Sequence, residues 1–272
     1  MTNSLLNFLA LALYFTVGGV LWIRLARGQT PTPQARIVTS ALGLAAVLAH
    51  AAILYDTLHF LTGLNFALTG AFSLVAWMVA MMFLLAALRR PVDNLGIVIM
   101  PLAGLMILIA WIWPGHPLVA EHSPARSAHV VISILAYSLL CLAAIQSLLL
   151  LVQERHLHAK HPGGFIRALP PMQTMETLMF RMVGAGFLLL TFTLVSGVFF
   201  SEQVFGQPLK FTHHIVLSMV GWVVYGVLLV GRRLYGWRGR IAVHWTLAGF
   251  LFLLLAYFGS KFVLEVLLKR GP

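Results

Sequence analysis

The sequence predicts an all-α membrane protein, a polytopic bundle of about eight transmembrane helices that forms a single transmembrane domain over residues 1–272. Of the 272 residues, 60% are hydrophobic and 9% are charged, which excludes a soluble domain of ordinary composition. Apolar runs of about 20 residues, the length that crosses a hydrocarbon core of about 30 Å, recur along the whole chain. Basic residues fall mainly in the short connections between these runs.

The apolar runs define eight predicted spans. Their approximate boundaries are 4–23, 37–55, 66–88, 95–113, 129–152, 182–200, 212–231 and 241–268. The first run has neither a basic segment before it nor a small-residue cleavage pattern after it. We therefore expect it to be a retained span and not a cleaved signal peptide.

The basic connections predict the topology. Most lysines and arginines of the connections follow spans one, three, five and seven, so these connections are expected to face the cytoplasm and both termini the periplasm of a bacterial inner membrane. The net charge of +11 belongs to this pattern, which predicts membrane lipid and not nucleic acid as a partner. The longest connection, 153–181, is predicted to be cytoplasmic, with an amphipathic segment, TMETLMFRM, at the membrane interface.

Polar residues are sparse and regularly spaced in the fifth span. His129, Ser133 and Tyr137 recur every four positions in HVVISILAYSLLCLAAIQSLLLLV, so they share one helix face. An apolar face that begins with an imidazole and continues with hydroxyl groups suits a flat, apolar ligand. A helix that only packs in a bundle can show the same pattern.

Several histidines lie at a similar depth in the predicted outer leaflet. His50 is inside the second span, His129 opens the fifth, and His213 and His214 open the seventh. Ionisable groups within spans usually face a protein interior, and two neutral imidazoles from different helices can hold a haem iron from opposite faces. The structural alternative is that His50 satisfies a helix contact while the others bind lipid headgroups.

Other chemistries have less support in the sequence. The single Cys141 excludes a disulfide framework and a thiolate cluster. No GxSxG, Walker or HExxH motif is present, and no pair of acidic residues within the spans suggests a carboxylate proton relay. Whether the chain is an enzyme therefore stays open. Lys261 and Glu265 lie four residues apart in the last span and could form an ion pair, or Lys261 could anchor an anionic group such as a haem propionate.

Several segments resemble the membrane-bound cytochrome c assembly proteins that handle haem, and most closely their short, eight-span, YpjD-like inner-membrane branch. The segments are HVVISILAYS at 129–138, GAGFLLLTFTLVSG at 184–197, and GWRGR at 236–240 followed by a span that ends in AYFGSKF. PVDNLG at 91–96 and PPMQTMETLMF at 170–180 add to the likeness. The resemblance covers nearly the whole chain and is strongest from His129 onward.

The resemblance implies a haem-binding bundle with b-type haem. His129 matches the family's histidine at the start of this span, and His50 matches the intramembrane histidine of the short branch, so the two are the expected axial pair. His213 and His214 are expected to be reserve ligands or donors to the bound group. Further cofactor contacts are expected from the remaining candidates, Ser133, Tyr137 and Lys261. Residues 201–210, SEQVFGQPLK, lack the tryptophan-rich motif of the assembly factors, which favours haem handling or electron transfer over haem attachment to cytochrome c.

Two other functions remain open at this point. A non-haem accessory or transport protein could use the glycine-rich sixth span to dock another membrane protein. The same histidines could instead form a site for copper or another metal. The sequence does not specify the physiological partner, which could be another membrane protein or a cytochrome.

Overall fold

A computed structural model describes residues 2–29, 32–59, 68–88, 93–114, 124–158, 169–199 and 213–259. The described residues form eight helices, each long and apolar enough to cross a membrane, and they contain no strand. The predicted fold class is thus confirmed, whereas the orientation of the termini stays a prediction. The helices are α1 (Thr2–Ala26), α2 (Pro33–His59), α3 (Leu68–Ala87), α4 (Asp93–Ile112), α5 (Pro124–His158), α6 (Met172–Phe199), α7 (His213–Leu234) and α8 (Gly239–Leu254), which continues into a π-helical turn, Leu255–Gly259.

The chain divides into two compact units, Met1–Val119 with Gln153–Pro171, and Ala120–Val152 with Met172–Pro272. The predicted single transmembrane domain stays a prediction, and each unit is described by itself. Large apolar side chains such as Leu5, Phe199 and Leu234 remain exposed on the helices. Such side chains are suited to contact with lipid.

The first unit is an antiparallel bundle of α1 to α4. Helix α1 packs against α2 and α4, and α3 packs against the same two helices. The rings of Phe8, near the start of α1, and Trp111, near the end of α4, meet edge to face with their centres 4.8 Å apart. At one end of the bundle, Arg24 donates hydrogen bonds to the backbone oxygen of Ala35 and the hydroxyl of Thr39. This arginine therefore satisfies polar groups on the neighbouring helix.

The second unit contains α5 to Val152 together with α6, α7 and α8. Glu176 near the start of α6 forms a salt bridge of 2.8 Å with Arg232 near the end of α7, so these two helices run antiparallel. The Arg232 guanidinium also lies 4.4 Å from the centre of the Phe180 ring. Helices α7 and α8 approach closely where Gly249 faces the ring of Tyr225. Small residues allow such close helix packing in membranes.

Helix α6 begins earlier than the sequence predicts. The sixth span is predicted at 182–200, but α6 starts at Met172 and runs without interruption to Phe199. The amphipathic segment around Glu176 therefore forms the first turns of α6. The carboxylate of Glu176 is tolerated near the start of this apolar helix because it pairs with Arg232. The cytoplasmic location of 153–181 stays a prediction.

Helix packing at Gly18 generates a stability prediction. A Cβ atom at Gly18 would lie 2.6 Å from Cγ of Pro101 in α4, whereas a Cβ at the neighbouring Gly19 would meet nothing within 4 Å. The proline ring is fixed to the backbone and cannot move aside. We expect Gly18→Ala to lower the free energy of unfolding by about 1–3 kcal/mol, and Gly19→Ala to change it by less than about 1 kcal/mol.

The measurement is denaturant or thermal unfolding of both variants in the same detergent micelles. Gly19→Ala is the matched control, since it adds the same methyl group one position away on the same helix. Equal stability of the two variants would contradict the close approach of α1 and α4 at Pro101.

Candidate functional site

His50 is a fully buried core residue of the first unit. Its Nδ1 lies 3.2 Å from the hydroxyl oxygen of Tyr14 on α1, and its Nε2 lies 2.9 Å from the hydroxyl oxygen of Ser73 on α3. The rings of Tyr14 and His50 also meet edge to face at 5.8 Å. Both ring nitrogens are therefore at hydrogen-bond distance from hydroxyl groups, and His50 links three helices.

These contacts bear on the predicted role of His50 as an axial ligand. A metal ligand needs a ring nitrogen whose lone pair points at the metal. For Nε2 of His50 to bind iron, it would have to exchange its contact with Ser73 for the metal. The axial role of His50 stays a prediction, and the hydrogen bonds support the structural alternative.

His129 lies at the start of α5 in the second unit and is half-buried. Its Nδ1 is 2.8 Å from Oγ of Ser196 on α6. A Cβ atom at the adjacent Gly197 would lie 3.4 Å from Cε1 of the imidazole, an ordinary van der Waals contact, so the ring of His129 lies against this part of α6. The sequence did not predict that Ser196 would contact His129.

The hydrogen bonds of Ser196 bear on the tautomer of His129. Oγ of Ser196 also lies 3.0 Å from the backbone oxygen of Thr193, to which it can donate its single hydrogen. In that arrangement the serine oxygen accepts a hydrogen bond from Nδ1 of His129. A neutral imidazole with its proton on Nδ1 carries its lone pair on Nε2. A metal-binding histidine almost always donates through its second ring nitrogen in this way.

His214 of α7 lies near His129. The two imidazoles are close enough for their charges to interact, and His214 is half-buried whereas the preceding His213 is exposed. The ring of His214 also contacts that of Tyr257 in the π-helical turn, with ring centres 6.1 Å apart. Of the two adjacent histidines, His214 is thus the one that faces the other residues of the candidate site.

Ser133 and Tyr137 extend the same face of α5 as predicted. The Ser133 hydroxyl donates to the backbone oxygen of His129 at 2.7 Å. The Tyr137 hydroxyl donates to the backbone oxygen of Leu253 on α8 at 3.0 Å. Tyr137 therefore connects α5 with α8, and its contact with a cofactor stays a prediction.

We call His129, His214, Ser196, Tyr137 and Tyr257 the histidine–tyrosine cluster. All five residues belong to the second unit. Tyr257 was not predicted individually, although it belongs to the AYFGSKF segment that carried part of the resemblance. Its position depends on the fold of the last helix, which sequence spacing alone does not specify. Lys261, the remaining predicted cofactor contact, lies outside the described residues.

The donor set of the described residues fits the small number of ligands that haem needs from a protein. Within the described residues, no three side chains of histidine, cysteine, aspartate or glutamate converge on one point. A protein site for copper or zinc usually needs three or four such ligands. Haem iron already has four porphyrin nitrogens and needs only one or two axial ligands from the protein. Two neighbouring imidazoles, one of them with its lone pair on Nε2, are chemically sufficient for that.

Comparison with known proteins identifies related sequences over most of the chain. The profile of the family described as "Cytochrome C assembly protein" matches residues 38–268. The inner membrane protein YpjD of Escherichia coli (strain K12) is 33% identical over 211 residues, which cover 76% of this chain and 78% of that protein. The cytochrome c biogenesis protein CcsA of Chlamydomonas reinhardtii is 26% identical over 145 residues, 53% of this chain and 39% of that protein. The CcsA protein of Prochlorococcus marinus (strain NATL1A) is 30% identical over 116 residues, 42% of this chain and 36% of that protein.

The hydrogen bond between Ser73 and His50 generates a prediction that does not depend on a cofactor. Ser73→Ala leaves Nε2 of a fully buried imidazole without its hydroxyl partner. We expect the free energy of unfolding to fall by about 1–3 kcal/mol. Denaturant unfolding in detergent micelles measures the effect, and Ser4→Ala, at an exposed serine of α1, is the control. Equal stability of the two variants would show that the Ser73 contact contributes nothing to the fold.

Proposed function

Because the chain belongs to the cytochrome C assembly protein family, we propose that it is an integral inner-membrane protein that binds b-type haem for haem handling or electron transfer. The observation that carries the proposal is the hydrogen bond from Nδ1 of His129 to Ser196, which leaves the lone pair of the ring on Nε2. The names of the YpjD and CcsA relatives support the membrane location and a role in cytochrome c biogenesis.

His129 is proposed as one axial ligand of the iron. Ser196 holds the imidazole through Nδ1 and thereby sets its orientation, which is how residues behind a metal ligand usually act. The half-buried setting of the ring on α5 limits the access of water. Low water access strengthens electrostatic interactions around a bound group.

Two histidines compete for the second axial position. The sequence predicts His50, which matches the intramembrane histidine of the short branch but has both nitrogens at hydrogen-bond distance from Tyr14 and Ser73. His214 belongs to the same unit as His129, and the two imidazoles are close enough for their charges to interact. We propose that the second ligand is one of these two, and the contacts of the imidazoles favour His214.

The other predicted residues have supporting roles in this proposal. Ser133 and Tyr137 lie along the face of α5 that begins at His129, where they would contact the edge of the porphyrin. His213 and Lys261 would meet the propionates. Bound haem supplies an iron that exchanges one electron, or it is itself the cargo passed to a cytochrome partner. The protein residues hold the macrocycle, orient the axial imidazoles and exclude water.

Absorption spectra of the purified protein and of single histidine variants test the proposal. We expect the wild-type chain in detergent to show a Soret band and the split visible bands of a six-coordinate b-type haem. His129→Ala is expected to lose most of the bound haem or to convert it to a five-coordinate form, since one axial imidazole is gone. His244→Ala is the control, because His244 is exposed on α8 and its Nδ1 lies 2.7 Å from the backbone oxygen of Arg240.

The same spectra identify the second ligand. If His214 is the ligand, His214→Ala shifts the bands, while His50→Ala lowers protein yield without shifting the bands of the haem that is bound. The opposite result assigns His50. A wild-type spectrum that His129→Ala leaves unchanged would remove His129 as a ligand. Colourless, iron-free protein would favour a non-haem accessory or transport function, and copper without porphyrin would favour a bare metal site.

A further inference from the structure

The ring of Tyr257 contacts the rings of two other residues of the histidine–tyrosine cluster, His214 and Tyr137. Its ring centre lies 6.1 Å from that of His214, with the planes inclined by 65°, and 6.2 Å from that of Tyr137, with the planes inclined by 60°. Both are edge-to-face arrangements, which aromatic rings prefer over face-to-face stacking. Tyr257 therefore stands between the start of α7 and the middle of α5.

The π-helical turn at the end of α8 determines where Tyr257 points. Helix α8 is regular to Leu254 and then widens over Leu255–Gly259. Widened turns of this kind change the angular position of the side chains that follow, and they occur frequently at functional sites. Ala256 and Phe258, on either side of Tyr257, are buried, so the turn is packed in place.

Tyr137 fixes the base of the same turn. Its hydroxyl donates to the backbone oxygen of Leu253, just before the helix widens. Where a helix is irregular inside a membrane, side chains and neighbouring helices satisfy the backbone groups that the helix leaves unpaired. Tyr137 thus supports Tyr257 in two ways. Its ring contacts the ring of Tyr257, and its hydroxyl bonds a backbone oxygen just before the turn that contains Tyr257.

We propose that Tyr257 is a positioning residue that sets the orientation of the His214 imidazole, so that His214 and not His213 is the histidine of α7 that serves the haem site. The part of this inference that concerns haem rests on the proposed function. The part that concerns the orientation of His214 does not need a bound group. The geometry is specific, because His213 is exposed on α7, whereas the ring of His214 contacts that of Tyr257.

The first test uses haem-free protein. Diethyl pyrocarbonate modifies accessible neutral imidazoles, and mass spectrometry measures the rate at each histidine. We expect Tyr257→Leu to raise the rate at His214 roughly 3- to 10-fold, the size expected for the loss of one aromatic edge contact. Tyr257→Phe keeps the ring and is expected to stay within about 2-fold of the wild type. The rate at the exposed His213 is the internal reference, and Tyr235→Leu, which removes an exposed tyrosine ring, is the matched control.

The second test uses haem-loaded protein and measures how the ligands of the iron are oriented. Electron paramagnetic resonance of the oxidised protein reports the relative orientation of axial imidazole planes. Tyr257→Leu is expected to shift or broaden the low-spin signal, and Tyr257→Phe is expected to restore it. Rescue by the phenylalanine variant would assign the effect to the aromatic ring of Tyr257 and not to its hydroxyl group.

The outcomes separate the two proposals. An unchanged His214 rate in Tyr257→Leu would overturn the positioning role, whatever the haem content. If the modification rate of His214 rises in Tyr257→Leu but the wild-type protein is colourless, the positioning role is supported and haem binding is refuted. A raised rate with an unchanged low-spin signal would also count against the inference, because His214 would then be positioned by Tyr257 without serving the iron.

Discussion

The hydrogen bond between Nδ1 of His129 and Oγ of Ser196 is the interaction on which the functional account depends. Within an apolar span, a polar ring must find its partners inside the protein. With its hydrogen donated to the backbone of its own helix, Ser196 accepts a hydrogen bond from the imidazole. That arrangement places the proton on Nδ1 and the lone pair on Nε2. This is the tautomer that the proposed ligand role of His129 requires.

His50 meets the same requirement in a different way. Hydroxyl groups from two neighbouring helices, those of Tyr14 and Ser73, lie at hydrogen-bond distance from its two nitrogens. Such a ring contributes to the packing of three helices, and binding iron would cost it one of these contacts. The two histidines look alike in the sequence, since each is an isolated imidazole in an apolar run. Their difference lies in the partners, which come from residues distant in sequence.

The sequence predicted the helices well because long apolar runs have few other solutions in a membrane. It also placed His129, Ser133 and Tyr137 on one face, since a spacing of four is a local property of an α-helix. The start of α6 was not predicted, because the salt bridge between Glu176 and Arg232 offsets the polar character of its first turns.

Sequence periodicity did not predict which residues contact the histidines of the site. Ser196 and Tyr257 reach the cluster through the packing of α6 and through a widened turn in the last helix, and neither leaves a periodic signal. Family membership adds what packing alone does not, because the match over residues 38–268 places the chain in the cytochrome C assembly protein family. The predicted pairing of His50 with His129 stays a prediction.

The dissociation rate of haem from Ser196→Ala, compared with that from Thr193→Val, measures what the Ser196 hydroxyl contributes to haem binding. Thr193 lies on the same helix, and its hydroxyl bonds the backbone oxygen of Leu189, so its loss leaves His129 untouched. Transfer of haem to apomyoglobin, followed by absorption, measures both rates. The account predicts that Ser196→Ala weakens haem binding about 10- to 100-fold, as the loss of a partner behind a metal ligand does, while Thr193→Val behaves like the wild type. Equal rates for the two variants would contradict the account.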